Sequence, residues 1–196
     1  PKKFIFLKKI KKKVEIFKFD IQNTKKLNNI IKKFNIDTCY HFASLKNLVE
    51  AEKRPKKYIN KNLNDTISLL NVLKKNNVKN LVFTSTAGVY EHNHYNDNLE
   101  DALVTPVNPY SFSKKIIENL LFQFSKVNKI KILVLRLFNI MGHYEKYKIY
   151  SSNRGNVIDE IILSINNNTH FTINSKYVGP NGSIRDFIHV EDVCNS

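Results

Sequence analysis

Between residues 36 and 138 short runs of β-branched and aromatic residues alternate with helical stretches of ten residues or more, and this alternation is the tightest constraint on the fold. Ile36–Ala43, the run from Asn80 through Phe83, and Ile130–Phe138 read as strands. Tyr58 to Lys75 reads as a long helix after the break at Pro55, and a second helix starts near Tyr110 and runs through Phe124. Strands joined by such helices need crossover connections, and these pack into a parallel α/β sheet with right-handed βαβ units. The N-terminal part adds an alternating strand at Val14–Phe19 ending at Asp20. A helix follows, capped by Thr24 and carrying Leu27, Ile30, Ile31 and Phe34 at helical spacing, and a shorter helix lies around Leu48 and Ala51. Beyond Asn139 the pattern breaks into a polar loop, a helix at 156–166, a short strand around Phe171 to Ile173 and an apolar region at Ile188, which read as the start of a second, smaller unit.

In open α/β sheets, ligands collect at the carboxyl ends of the strands. The strand at Asn80 ends there in three consecutive hydroxyl residues, Thr84, Ser85 and Thr86, followed by Ala87-Gly88. Some twenty residues on comes Asn108-Pro109-Tyr110-Ser111-Phe112-Ser113-Lys114. Tyr110 and Lys114 are four apart and share one helix face. A phenol is a poor base at neutral pH, and a neighbouring ammonium favours the phenolate, so the pair can move a proton. By itself the spacing is also that of a solvated helix face.

Composition limits the alternatives. The 196 residues are 42% hydrophobic, enough for a core, and no apolar run approaches the ~20 residues a membrane helix needs. The expectation is a soluble, cytoplasmic protein without a membrane partner. The formal net charge of +15 raises nucleic acid as a partner. The excess is nearly all Lys, with Arg only at 54, 136, 154 and 185, whereas phosphate and base readers favour Arg. Lys also travels with Asn runs, the mark of A/T-rich codons, so no nucleic-acid partner is expected. Cys39 and Cys194 stand far apart, and the His92-Asn93-His94 spacing has no third ligand nearby, so neither a disulfide framework nor a metal site is expected.

The hydroxyl-ended strand together with the Tyr/Lys helix resembles the extended short-chain dehydrogenase/reductase superfamily, whose triad is Ser/Thr, Tyr and Lys. The resemblance runs from Asp20 to Asp192 and is nearest to the UDP-glucose 4-epimerases (UDP-galactose 4-epimerases). It is carried by His41-Phe42-Ala43-Ser44-Leu45-Lys46, by Asn60-Lys61-Asn62-Leu63-Asn64-Asp65-Thr66, by Leu135-Arg136-Leu137-Phe138-Asn139 and by Ser183 through Val190. It implies a Rossmann-like doubly wound parallel sheet in residues 1–142. This part lacks the Gly-rich turn, because the five glycines, Gly88, Gly142, Gly155, Gly179 and Gly182, form no such loop. Residues 143–196 would begin a UDP-sugar domain. On this reading the first βαβ unit and the rest of the second domain are missing, so the chain is a fragment that is inactive alone.

The resemblance further implies NAD as cofactor and UDP-glucose and UDP-galactose as substrates, with Thr86, Tyr110 and Lys114 catalytic. Asp20 and Ile21 would meet the adenine. Phe42, Ala43, Ser44 and Lys46 would lie along the pyrophosphate and nicotinamide side, with Asn62, Tyr110, Lys114 and Phe138 at the nicotinamide. Thr86, Tyr110, Asn139, Asn156, Val157 and Arg185 would hold the UDP-sugar. Phe42, Ile21, Val157 and Phe138 are equally core residues of any α/β protein. Related dehydratases carry acidic residues directly after the Thr, whereas this chain has Ala87-Gly88, which disfavours elimination. Leu137 stands where these epimerases usually have Tyr, and Asp65 where they usually have Gly. Breadth toward N-acetylhexosamines and a non-catalytic basic module stay open as alternatives, and a homodimer through the two long helices is implied for the full-length protein.

Overall fold

The computed structural model describes residues 14–90, 100, 102, 104–142, 157–171 and 186–195. They fall into two compact units, Phe17–Leu137 and a second one containing Phe138–Ser196.

In the first unit the order is α1 (Thr24–Lys33), β1 (Thr38–His41), α2 (Leu48–Lys53), α3 (Pro55–Lys75), β2 (Asn80–Thr86), a 3-10 turn (Ala87–Val89), α4 (Pro109–Val127) and β3 (Lys131–Leu137). The sheet is parallel throughout, ordered β1-β2-β3, with Thr38 opposite Asn80 and Thr86 opposite Leu137. The parallel α/β architecture read from the alternation is therefore present. Leu81 and Phe83 of β2 alternate inward and meet Leu69, Leu70 and Leu73 of α3 and Ile117 and Leu121 of α4. Each such buried side chain contributes about 1.5–3 kcal/mol of transfer free energy. Helix ends follow from local chemistry. α1 and α3 both run into an Asn in the left-handed region, Asn35 (φ 48°) and Asn77 (φ 53°). Behind it the amides of Ile36 and Val78 reach back to Ile31 O and Leu73 O, so the paired asparagines at 76–77 stop a helix.

Two expectations are corrected. Val14–Phe19 is not a strand: it pairs with no strand among the described residues, and Val14, Ile16 and Phe17 stay exposed. Alternation alone cannot form a strand without a ladder to join. The cap of α1 is Asn23, whose side chain accepts from the Lys26 amide at 3.1 Å, and Thr24 is the first helical residue.

The second unit holds β4 (Asn139–Met141), α5 (Val157–Asn166), β5 (Phe187–His189) and α6 (Val190–Asn195), with β4 and β5 parallel and Asn139 opposite Phe187. Strand β4 is an addition, since the sequence shows only a broken pattern there. Gly142 follows it at φ 98°, and a Cβ there would fall 2.2 Å from His189 Nε2, so both backbone and space demand glycine. The expected strand at Phe171–Ile173 extends beyond the described residues.

Candidate active site

The carboxyl end of β2 and the amino end of α4 meet because of two local devices. Asn108 caps α4 by accepting from the Ser111 amide at 2.8 Å, and Pro109 opens its first turn. Thr86 ends β2 and caps the 3-10 turn through its hydroxyl, which accepts from Gly88 N at 3.2 Å. Gly88 then lets the helix approach: a Cβ there would sit 2.5 Å from Ser111 Oγ.

Tyr110 and Lys114 do share one face of α4, with Lys114 Nζ 5.8 Å from the Tyr110 ring centroid. Lys114 is 2% exposed. Its ammonium donates to the Thr84 carbonyl at 2.8 Å and lies 4.5 Å from the Phe83 ring centroid. Burial pulls its pKa down to about 8. Tyr110 is half-buried, and that burial pushes its phenol up while a hydrogen bond with the Ser44 side chain pulls it down. The lowering of Tyr110 expected from Lys114 is not among these influences: the Lys114 ammonium is directed to the Thr84 carbonyl and the Phe83 ring.

Asn62 of α3 is 2% exposed and clamps the segment after β1. Its Oδ1 accepts from Leu45 N at 2.8 Å, and its Nδ2 donates to Leu45 O at 3.2 Å and to Ser113 Oγ at 3.0 Å. Ser113 Oγ in turn donates to Tyr110 O at 2.7 Å. One buried amide thus ties the Ser44–Leu45 segment to the helix that carries Tyr110. Beneath it Thr66 Oγ1 donates to Asn62 O at 2.9 Å, so toward His41 Nε2, 3.1 Å away, it can only accept. A proton on His41 Nε2 satisfies that contact. Burial, then the Lys114 charge, holds its pKa down at about 4.

Ser44, Asn62, Thr86, Tyr110 and Lys114 are thus gathered around the ends of β1 and β2. Phe42, Ala43 and Lys46 are exposed on the same segment as Ser44, and Ile21 packs against the core. Asp20 sits in an exposed turn. Phe138, Asn139 and Val157 belong to the second unit, where Asn139 Nδ2 donates to Asp186 O at 3.0 Å and Val157 is exposed. Asn156 and Arg185 lie outside the described residues, as does the His92–His94 spacing. Sequence reasoning missed Ser113, Thr66 and His41. The available signal was a hydroxyl or imidazole on an otherwise apolar inward face. It also missed Glu118, which locks α4 to β3 through Arg136 Nη2 at 3.0 Å and Nε at 3.2 Å.

The parallel α/β sheet carries Tyr110, Lys114 and Thr86 at the carboxyl edge of its strands, where open α/β folds bind their ligands. The chain belongs to the NAD dependent epimerase/dehydratase family, whose model matches residues 5–196. It is 35% identical over 197 residues to a UDP-glucose 4-epimerase of Dictyostelium discoideum, an alignment covering 93% of this chain and 55% of that protein. Among solved structures, the UDP-glucose 4-epimerase of Bifidobacterium longum, in complex with NAD+ and UDP, is 27% identical with a TM-score of 0.81. That match covers all of this chain (100%) and 61% of the other. The UDP-N-acetylglucosamine 4-epimerase of Methanobrevibacter ruminantium M1, in complex with UDP-N-acetylmuramic acid, is 27% identical with a TM-score of 0.78, covering 92% and 55%. The chain thus spans a little over half the length of these relatives. The fold is the Rossmann-like one that the resemblance implied.

Proposed function

We propose that this chain carries the acid–base machinery of a NAD-dependent UDP-glucose 4-epimerase, interconverting UDP-galactose and UDP-glucose through a 4-keto sugar. The observation that carries this reading is the placement of Tyr110 and Lys114 on one face of α4, beside a strand end where Thr86 is followed by Ala87-Gly88 and no carboxylate. The donor set suits the ribose and nicotinamide end of the cofactor: Lys114 has hydrogens beyond the one given to Thr84 O, and Ser44 and Asn62 frame the same edge. NAD, held there, supplies the acceptor and then the donor of the C4 hydride. Tyr110, whose phenol pKa is raised by burial and lowered by the Ser44 hydrogen bond, is the group that would take the proton of the sugar 4-hydroxyl and later return it, while Thr86 would hydrogen-bond the 4-oxygen and align it. With Ala87-Gly88, and so no carboxylate, directly after Thr86, the residues favour oxidation and re-reduction over elimination of water. Asn139, Asn156, Val157 and Arg185 are assigned to the UDP-sugar, with Arg185 offering a charged fork to phosphate.

The test is conversion of UDP-galactose to UDP-glucose by the full-length protein, followed by NMR of the anomeric signals. Tyr110→Phe is expected to slow it by about 10²–10⁴-fold, the usual worth of a positioned acid–base group. A folded, NAD-containing protein that converts neither sugar overturns the reading. UDP-N-acetylglucosamine belongs in the same assay, because one structural neighbour is a UDP-N-acetylglucosamine 4-epimerase. The reading includes a homodimer through α3 and α4, which leave Ile67, Phe112 and Phe122 exposed, and a monomer in sedimentation removes that part.

A further inference from the structure

We propose that Lys61 and Asp65 of α3 are positioning residues for the adenine end of the dinucleotide, acting through the carboxylate of Asp20. The inference rests on the cofactor reading above and deepens it. Asp20 and Gln22 flank Ile21 in the turn that leads into α1. Asp20 Oδ1 accepts from Gln22 N at 2.9 Å, and its carbonyl accepts from Asn23 N at 2.8 Å. Both flanks are tied to α3, some forty residues away in sequence. Lys61 Nζ donates to Asp20 Oδ2 at 3.2 Å and Oδ1 at 3.4 Å, and to Asp65 Oδ1 at 2.8 Å. Gln22 Nε2 donates to that same Asp65 oxygen at 2.9 Å. Asp65 is 8% exposed, so it is the buried post of the arrangement, and Lys61 and Gln22 are the two lines fixed to it.

Such a clasp adds little to stability, because Asp20 is exposed and Lys61 only partly covered, and solvated ion pairs are weak. Its effect is orientation. The Gln22 amide, and after it Lys61, hold the Asp20 carboxyl below the usual carboxylate range. An ionised carboxylate only accepts hydrogen bonds. Held in one direction, it favours a base edge that presents an N–H, such as the exocyclic amine of adenine, and disfavours one that presents a carbonyl oxygen. A glycine at position 65, the residue usual in the epimerases that this chain resembles, would leave Lys61 without its post.

The experiment compares dissociation constants of the full-length protein for NAD and for nicotinamide hypoxanthine dinucleotide, which carries a carbonyl in place of the amine. Wild type is expected to prefer NAD by about tenfold, the worth of one hydrogen bond to a charged group in a partly solvated site. Asp20→Ala removes the preference. Lys61→Met and Asp65→Gly each lower it to roughly two- to threefold, and Lys61→Arg keeps it near the wild-type value. A purely structural clasp shifts the melting temperature of these variants and leaves the base preference at the wild-type value, and that result overturns the proposal. So does a wild type that binds both dinucleotides equally, which leaves the cofactor reading intact. Binding of neither overturns both.

Discussion

The two long helices change character along their length, and the change maps onto the two ends of the sheet. The amino-terminal half of α3 buries Tyr58, Asn62, Asp65 and Thr66, whereas its carboxyl-terminal half buries Leu69, Leu70, Val72 and Leu73. Helix α4 buries Ser111, Ser113 and Lys114 first, and then Ile117, Glu118 and Leu121. Crossover helices run antiparallel to the strands, so both polar halves lie at the carboxyl edge and both apolar halves at the amino edge. The apolar end supplies most of the transfer free energy. The polar end buries groups that cost free energy to desolvate and keeps them hydrogen-bonded across elements, which is the pattern of a preorganised site. Substitutions at the two ends should therefore fail in different ways.

The sharpest division is expected at Lys114. Lys114→Met should lower epimerase turnover by about 10²–10⁴-fold while changing unfolding free energy by no more than about 1 kcal/mol. The charge it removes is one the fold already holds at a disadvantage, since burial lowers that pKa to about 8. Steady-state kinetics beside urea unfolding checks both halves, and a large stability loss with normal turnover breaks the division. At the other end Leu73, which is 0% exposed, should behave in reverse. Leu73→Ala is expected to cost about 2–5 kcal/mol, from lost transfer free energy and a residual cavity, with turnover of the folded fraction unchanged.

The apolar half of this contrast is legible in the sequence, and the polar half only in part. The runs at Asn80 and Ile130 announce strands because hydrophobic periodicity is local, and the long helices between them leave few topologies. Val14–Phe19 shows the same periodicity but pairs with no strand among the described residues, so the local signal misleads there. Tyr110 and Lys114 are readable because both lie on one turn of one helix. His41, Thr66, Asn62 and Ser113 are not readable as a set. Their bonds span 25 residues from His41 to Thr66 and 51 from Asn62 to Ser113, and no local pattern records a pairing between elements. The Lys61–Asp20 pair, 41 residues apart, is hidden for the same reason. The second unit is the least legible: its short strands β4 and β5 are three residues each, too brief for an alternation to register.

The next effect concerns pH. His41 is 3% exposed, and its folded pKa of about 4 lies below the ordinary histidine value of 6.5. Between those values the unfolded chain binds more protons than the folded one, so stability is lost as pH falls from 6.5 toward 4. The shift corresponds to about 3 kcal/mol across the full window. His41→Gln keeps a donor for Thr66 without a titrating ring, and should flatten the wild-type slope between pH 6.5 and 4.5. Above 4.5, the depressed carboxyls of Asp20 and Glu50 contribute little to the slope. Urea midpoints at pH 7 and pH 4.5 measure it, and an unchanged slope in the variant places the acid sensitivity elsewhere.

The smallest effect separates residues that serve the polar end from those that merely sit in it. Ser85 is 5% exposed, lies between Thr84 and Thr86 on β2, and its hydroxyl has no hydrogen-bond partner among the described residues. An unpaired buried hydroxyl costs desolvation without return, so Ser85→Ala should be neutral or stabilising by up to about 1 kcal/mol, with turnover unchanged. That outcome confines the site to side chains whose bonds reach the Tyr110 helix or the Ser44 segment. A tenfold loss of turnover with full stability would instead mean that a bound molecule satisfies the Ser85 hydroxyl. The polar end would then reach the inward face of β2 as well, since Ser85 points to the face opposite Thr84 and Thr86.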